Sequence, residues 1–294
     1  MTRDCAIFLT HRWTPQIARH YARLQQEAAD VVDVFLAFQP ARDSSAPAEA
    51  DFVVRPAEAA ERFAVRHAEF IAGKRRGTTG YTDLIWANLF LSPELERYQR
   101  FWLVEYDVDY SGNWRDFFSA VSPYGEDLLV TRLRKLSHDP HWRQQYDYAQ
   151  PSGLLADPLI GFFPISRLSR ALAERYPQIV ANAEWRGHFE MVLPNAAASA
   201  GFSVGDIGGT GPMVAPDRRG LHYSAGYSEE DRSGSFGFQP PRGTNYCFGR
   251  QRLLWKPDRL YHPIKADLDL RARMKAREQR FRYWWRGLLA GPVR

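Results

Sequence analysis

Three carboxylates occupy alternate positions directly after an apolar run near the middle of the chain. The run is residues 101–104, and the acidic side chains are Glu105, Asp107 and Asp109. If a strand continues through them, its period of two directs all three to one side. Carboxylates this close repel one another unless a cation or hydrogen-bond donors compensate their charge, and Mg²⁺ and Mn²⁺ prefer such oxygen ligands. The pattern predicts a divalent-metal site with Asp107 and Asp109 as first ligands; a solvated strand end is the alternative.

The segments around this motif alternate between strand-like and helix-like patterns. Apolar runs predict strands over 5–10, 30–38 and 100–108, and helical spacing predicts helices over 11–29 and 82–91. A Pro-, Ala- and Ser-rich loop is expected over 40–50. This alternation predicts an α/β sheet with right-handed crossovers. Open α/β sheets bind ligands at the carboxyl ends of their strands, which is where the acidic motif falls.

The composition excludes several classes of protein. The chain has 294 residues, of which 45% are hydrophobic and 14% aromatic, so it can bury a substantial core and is not intrinsically disordered. No apolar stretch approaches the roughly 18 residues of a membrane span, and the N-terminus lacks the features of a signal peptide. Two cysteines make no disulfide framework, so a cytosolic protein is expected. Motifs of Rossmann dehydrogenases, P-loop NTPases and α/β-hydrolases are missing from the sequence.

The net charge of +5 resides in the C-terminal tail. Residues 267–294 contain eight Lys/Arg and three Asp/Glu, and the remaining chain is balanced. Because a nucleic-acid-binding domain would more often spread basic residues over one face, no nucleic-acid partner is expected. The tail predicts a basic amphipathic helix that docks on an anionic membrane surface, with packing onto the protein's own core as the alternative. The expected location is cytoplasmic, peripheral on the inner face of the cell membrane. The apolar positions that recur at helical spacing are Leu270, Met274, Phe281, Trp285 and Leu288.

Three segments, taken in order, carry a resemblance to a known family. Residues 105–114 read Glu-Tyr-Asp-Val-Asp-Tyr-Ser-Gly-Asn-Trp and resemble the Asp-x-Asp region of GT-A-fold glycosyltransferases, in particular bacterial and fungal sets that share Glu-x-Asp-x-x-Tyr-x-Gly-x-Trp. Residues 185–194 resemble the acceptor-side helix that often supplies a carboxylate. Residues 260–265 resemble a late motif whose histidine completes metal coordination. Order and rough spacing match over residues 5–266.

This resemblance implies a single GT-A-like α/β domain with a mixed, mainly parallel sheet. It also implies metal-dependent transfer of a sugar from a nucleotide-sugar donor to a hydroxyl of a bacterial surface saccharide or lipid-linked precursor. Residues 1–135 would bind the donor and residues 136–266 the acceptor, with 267–294 as the C-terminal helix. Mn²⁺ or Mg²⁺ would be held by Asp107, Asp109 and His262. A non-catalytic carbohydrate- or membrane-surface-binding protein and a metal-dependent nucleotidyltransferase are the alternatives.

The remaining candidates surround this centre. Glu190 is the expected general base, and because its neighbours are apolar, burial should raise its pKa; His188 is the second candidate base. The residues expected to contact the donor are Thr10, Arg12, Asp83, Asn88 and Lys265. The strand predicted over 30–38 ends without the acidic residue that often binds the nucleoside in this family. The sequence therefore leaves the identity of the nucleotide open. Residues 201–249 contain 11 of the 21 glycines and predict either ordinary turns or a mobile flap over the ligand.

Overall fold

A computed structural model describes residues 4–40, 45–62, 82–142, 145, 148–227, 233–238, 246–247 and 256–265. The predicted amphipathic helix over 267–294 lies outside the described residues, as does part of the Gly-rich stretch. Among the residues described, no helix combines the length and apolar character needed to cross a membrane.

The chain alternates between strands and helices through its first half. The helices are α1 (Pro15–Ala28), α2 (Pro56–Arg62), α3 (Thr82–Phe90), α4 (Trp114–Val121), α5 (Arg170–Ile179) and α6 (Phe189–Ser199). The strands of the main sheet are β1 (Asp4–Thr10), β2 (Val32–Phe38), β3 (Phe52–Val53), β4 (Arg100–Glu105), β6 (Leu128–Lys135), β7 (Leu159–Ser169) and β8 (Val204–Asp206). Four short strands form two separate pairs, which are β5 (Asp109–Tyr110) with β10 (Leu260–Tyr261) and β9 (Tyr246–Cys247) with β11 (Ile264–Lys265).

The main sheet has seven strands in the order β3-β2-β1-β4-β7-β6-β8. Only β7 runs against its neighbours; the other pairings, β2 with β3, β1 with β2 and β4, and β6 with β8, are parallel. The predicted class is therefore confirmed as a single α/β domain with a mixed, mainly parallel sheet. Because all strands except β7 point the same way, their carboxyl ends share one edge of the sheet.

Both faces of the sheet are covered, as the uninterrupted apolar runs of β1 and β4 predict. Alternate residues of each strand enter opposite layers, so Ile7 and Leu103 pack under α3, α5 and α6, while Phe8 and Val104 pack under α1 and α4. Helix α1 begins with Thr14 as its cap, whose hydroxyl oxygen accepts from the Ile17 amide at 3.3 Å. The sequence-based helix start at residue 11 is therefore four residues early.

The acidic motif does not continue as a strand. Strand β4 ends at Glu105, and the Val108 amide donates to the Glu105 carbonyl at 3.0 Å, which closes a turn over residues 105–108. The expected strand over 100–108 is thus wrong at its end, and the period-two argument does not apply to the three carboxylates. Because the chain turns here, the side chains of Asp107 and Asp109 have different neighbours.

Candidate functional site

Three side chains converge at the carboxyl end of β4. Each of Glu105, Asp107 and His262 offers a ligand atom, and these atoms all lie within 4.8 Å of one another. Asp107 and His262 are buried, and Glu105 is half-buried. Two carboxylates and one imidazole close together are a donor set for a divalent cation. We call this group, Glu105, Asp107 and His262, the acidic–histidine cluster.

The histidine reaches the acidic turn because a late segment of the chain pairs with it. Strand β10 lies antiparallel to β5, which places Tyr261 opposite Asp109. Just beyond it, the Ile264 amide donates to the Asp107 carbonyl at 2.7 Å. These backbone hydrogen bonds hold residues 260–264 beside residues 107–110, which places the side chain of His262 next to that of Asp107.

The ring orientation of His262 suits a metal ligand. Its Nδ1 lies 2.7 Å from the Gly237 carbonyl, and since a carbonyl only accepts hydrogen bonds, Nδ1 carries the proton. Nε2 faces Asp107 Oδ1 at 3.5 Å. Metal-binding histidines commonly donate their second ring nitrogen in this way, which fixes both tautomer and orientation. Two carboxylates and an imidazole held in this orientation fit a divalent cation.

Asp109 lies outside the acidic–histidine cluster. Its Oδ1 accepts from Arg23 Nη1 at 2.6 Å and from the Tyr110 amide at 2.8 Å, and its carboxylate is 3.8 Å from His20 Nδ1. Of the two aspartates expected as ligands, the structure therefore brings only Asp107 to His262. The cluster's third member, Glu105, belongs to the acidic motif but was not among the expected ligands.

Glu190 lies in the first turn of helix α6, at the same edge of the sheet. Helix α6 precedes β8, which runs parallel to β6, so the helix runs back across the sheet and its first turn lies where the parallel strands end. Asn195, in the second half of α6, joins the helix to the start of β7 through two hydrogen bonds of 2.8 Å with the Leu159 backbone. His188 caps the helix, and its Nδ1 accepts from the Glu190 amide at 3.3 Å.

The carboxyl of Glu190 has a pKa close to physiological pH. Burial raises its pKa to about 7, against the opposing charges of Arg134 and Arg132. The side chain keeps 12% exposure, and its Oε2 lies 3.8 Å from His188 Nδ1. The expected upward shift is confirmed. A carboxyl with a pKa near 7 can exchange a proton at physiological pH, as a general base must.

Sequence reasoning missed Arg132, whose charge acts on Glu190 and whose guanidinium packs on Phe162, a neighbour of His262. Its φ of 50° is rare for a residue with a side chain, and it falls where β6 loses register with β7. The Tyr223 hydroxyl accepts from its amide at 2.5 Å, and its guanidinium donates twice to the Gly226 carbonyl. The guanidinium also covers the ring of Phe162 at 5.6 Å, and that ring packs against His262 with centroids 5.2 Å apart. No local sequence signal marks this residue, since its conformation depends on Tyr223, which is 91 positions away.

The end of β1 forms the neighbouring part of the edge. Leu9 pairs with Glu105 across the two strands, so Thr10 and Arg12 follow directly beside the acidic turn. Thr10 is buried and its hydroxyl donates to the Arg12 carbonyl at 2.6 Å, whereas Arg12 is exposed. Tyr106 joins the two segments through its amide, which donates to the Leu9 carbonyl at 3.0 Å. Thr10 therefore shapes the loop, and the Arg12 guanidinium faces solvent near the cluster.

The other three expected donor contacts are placed differently. Asp83 is buried in the first turn of α3 and accepts a short hydrogen bond from the Tyr176 hydroxyl of α5. Asn88 lies further along α3 and accepts from Arg62 Nη1 at 3.1 Å. The backbone of Lys265 pairs with Cys247 in the small sheet of β9 and β11, while its side chain lies outside the described part of the chain. Asp83 and Asn88 therefore pair with residues of neighbouring helices and are not members of the acidic–histidine cluster.

Comparisons with known proteins give fold likeness at low identity. Neither a protein-family profile nor a curated protein matches the sequence. Among solved structures, the mannosyltransferase Ktr4p from S. cerevisiae is 10% identical, with a TM-score of 0.40 over 70% of this chain and 68% of that chain. Core-mannan synthase A from Aspergillus fumigatus, in a Mn/GDP form, is 11% identical, with a TM-score of 0.38 over 70% of this chain and 73% of that chain. Likeness at this level defines neither activity nor substrate, so the functional argument rests on the site.

Proposed function

We propose that the protein is a metal-dependent glycosyltransferase that moves a sugar from a nucleotide-sugar donor to a hydroxyl acceptor. The observation that carries the proposal is the convergence of Glu105, Asp107 and His262 within 4.8 Å at the sheet edge where α/β folds bind ligands. The acceptor class is a bacterial surface saccharide or its lipid-linked precursor. Residues 1–135 contribute the donor side and residues 136–266 the acceptor side.

The cluster and Glu190 divide the chemistry between them. Glu105, Asp107 and His262 would hold Mn²⁺ or Mg²⁺, and a cation bound there would supply Lewis-acid stabilisation of negative charge on the diphosphate leaving group. Arg12, exposed beside the acidic turn, supplies a cationic contact for a donor phosphate. Lys265 follows His262 closely in the sequence and is proposed for a second phosphate contact. Thr10 would act on the donor side indirectly, by shaping the loop after β1. Asp83 and Asn88 would do so by holding helix α3 against its neighbours.

The acceptor hydroxyl needs a group that takes up its proton. Glu190 is proposed as this general base, because burial holds the pKa of its carboxyl near 7. His188 orients the first turn of α6 and is the second candidate base. In a reaction that retains anomeric configuration, Glu190 would position the acceptor hydroxyl instead.

The decisive test is metal-dependent nucleotide binding. UDP and GDP are titrated calorimetrically into wild-type protein with and without Mn²⁺, then into Asp107→Asn and His262→Ala. One of the two nucleotides is expected to bind only with Mn²⁺, and both variants are expected to lose that binding. Asp258→Asn is the matched control, since Asp258 is an exposed carboxylate outside the cluster and should leave binding unchanged.

Turnover then separates the proposal from its alternatives. With Mn²⁺ and no acceptor, the wild type should slowly hydrolyse a UDP- or GDP-sugar. Pyrophosphate release from a nucleoside triphosphate plus a sugar phosphate would identify a nucleotidyltransferase. Saccharide binding that needs neither metal nor nucleotide would identify a non-catalytic carbohydrate-binding protein.

We further propose that residues 267–294 dock on an anionic membrane surface and bring the enzyme to a lipid-linked acceptor. Each Lys or Arg near such a surface contributes about 1 kcal/mol, and the tail contains eight. Full-length protein should sediment with phosphatidylglycerol vesicles at low salt, and a 1–266 chain should not. Equal sedimentation of both would contradict the proposal, and a 1–266 chain that fails to fold would indicate that the tail packs onto the core.

A further inference from the structure

One face of helix α1 holds the loop that follows the acidic turn. His20, Arg23 and Glu27 are spaced three and four residues apart, so they project from the same side of the helix. His20 Nε2 donates to the Val108 carbonyl at 2.7 Å, and the Trp114 amide donates to Glu27 Oε2 at 3.0 Å. The loop of residues 108–114 is thus bound at both ends by α1.

Arg23 makes the central contacts of this face. Its Nη1 donates to Asp109 Oδ1 at 2.6 Å, and its Nη2 donates to the carbonyls of Tyr110 at 2.9 Å and Gly112 at 2.6 Å. Its Nε donates to Glu27 Oε1 at 2.7 Å, which orients the guanidinium. A planar guanidinium can serve these partners at once because its five N–H groups have fixed directions.

The segment that carries His262 pairs with the same loop. Strand β5 pairs with β10, and the Ser111 amide donates to the Arg259 carbonyl at 2.9 Å. A shift of residues 109–112 would therefore displace both sides of the acidic–histidine cluster, since Asp107 lies just before the loop and His262 directly follows β10, the strand that pairs with it. The ion pair of Arg23 and Asp109 acts on the cluster without contributing a ligand.

We propose that Arg23, with Asp109 as its anchor, is a positioning residue for the metal site. This inference rests on the proposed function, because it assumes that the acidic–histidine cluster binds a cation. It gives Asp109 a structural role: the carboxylate fixes the guanidinium, which in turn fixes the backbone on which the two halves of the cluster meet. Losing a partner that orients metal ligands typically weakens metal affinity 10- to 100-fold.

The chain offers a matched control in Arg170. This arginine also lies on a helix, donates to a glutamate four residues later, Glu174, at 3.3 Å and donates to the backbone carbonyls of Tyr98 and Leu95. Its contacts lie at the opposite edge of the sheet, near the start of β4. Replacing either arginine with methionine removes similar hydrogen bonds, but only Arg23 touches the loop beside the cluster.

The test measures Mn²⁺ affinity by electron paramagnetic resonance of free Mn²⁺, with Tm recorded without metal. Arg23→Met is expected to weaken affinity at least about 10-fold, whereas Arg170→Met lowers Tm comparably and leaves affinity unchanged. Arg23→Lys keeps the charge but not the fork of donors and should restore affinity only in part. Asp109→Asn should weaken affinity like Arg23→Met, and the double variant should be no weaker than either, since both act through one contact.

The outcomes separate this inference from the proposed function. Wild-type protein that binds no Mn²⁺ would overturn both. Wild-type binding with unchanged affinity in Arg23→Met would overturn the positioning role alone. Losses that add up in the double variant would make Asp109 a ligand in its own right. If Arg23→Met does not fold, Asp109→Asn carries the test, and unchanged affinity in that variant would overturn the inference.

Discussion

The buried carboxyl of Glu190 shows how much a single residue's surroundings add to its chemistry. The sequence placed Glu190 among apolar neighbours and so predicted a raised pKa, which the structure confirms. Arg132 and Arg134, which oppose that shift, were not predicted, because they lie 58 and 56 residues earlier in the chain and approach Glu190 only once it has folded. The same limit explains why Asp109 was expected as a ligand and Glu105 was not: an alternation pattern does not reveal the turn over residues 105–108, which keeps Glu105 near Asp107 and separates Asp109 from both.

Glu190→Gln should lower turnover while leaving donor binding intact. A missing general base typically costs about 10²- to 10⁴-fold in rate, and the wild-type rate should rise with pH through a midpoint near 7, where Glu190 loses its proton. The measurement is turnover against pH for both proteins. Glu96→Gln, at an exposed glutamate, is the control and should behave as wild type. Near wild-type turnover in Glu190→Gln would transfer the role to another residue.

The same substitution should change stability in a pH-dependent direction. The pKa of Glu190 is about 7 in the native state and 4.5 for an ordinary glutamate, so the native state binds the proton more tightly. The free energy of unfolding therefore falls as pH rises from about 4.5 to 7, by up to about 3 kcal/mol. Glu190→Gln should raise Tm relative to wild type at pH 8 and not at pH 4.5. An equal Tm difference at both pH values would contradict the assigned pKa.

At the scale of elements, apolar runs located β1, β2, β4, α1 and α3 to within a few residues. Their order alone could not reveal that β7 runs antiparallel between β4 and β6, since strand direction depends on tertiary pairing. Nor could it reveal that residues 260–264 pair with the acidic turn, because these strands are only two residues long. The site is thus built from regular elements that sequence patterns predict and short ones that they do not.

Helix α6 offers a test of what its cap does. His188→Ala removes the acceptor for the Glu190 amide and should cost about 1 kcal/mol in the free energy of unfolding, whereas His188→Asn supplies another capping acceptor and should cost less. If His188 serves only as the cap, His188→Asn keeps most of the turnover. Denaturant unfolding and turnover are measured together for both variants. Turnover as low as that of Glu190→Gln in His188→Asn would make His188 the base.

At the scale of the whole molecule, the cluster joins parts of the chain that are far apart. A cation that binds only the folded state raises stability by RT ln(1 + [M]/Kd), about 2.7 kcal/mol at a hundred times Kd. For a domain of this size we expect Mn²⁺ to raise Tm by roughly 5 °C. His262→Ala should abolish the shift, while Asp258→Asn keeps it. A shift of the same size in His262→Ala would mean that the cation binds elsewhere.

The pairing of residues 107–110 with residues 260–264 also has a consequence for how the protein is made. Glu105 and Asp107 leave the ribosome about 155 residues before His262. Until then the nascent chain holds two carboxylates at the end of β4 without their imidazole, so the last ligand arrives only after β7, α5, α6 and β8 have been synthesised. The proposed cation site is therefore completed only when synthesis has passed His262, and we expect a polypeptide that ends between β8 and β10 to contain every strand of the main sheet yet to bind the cation weakly.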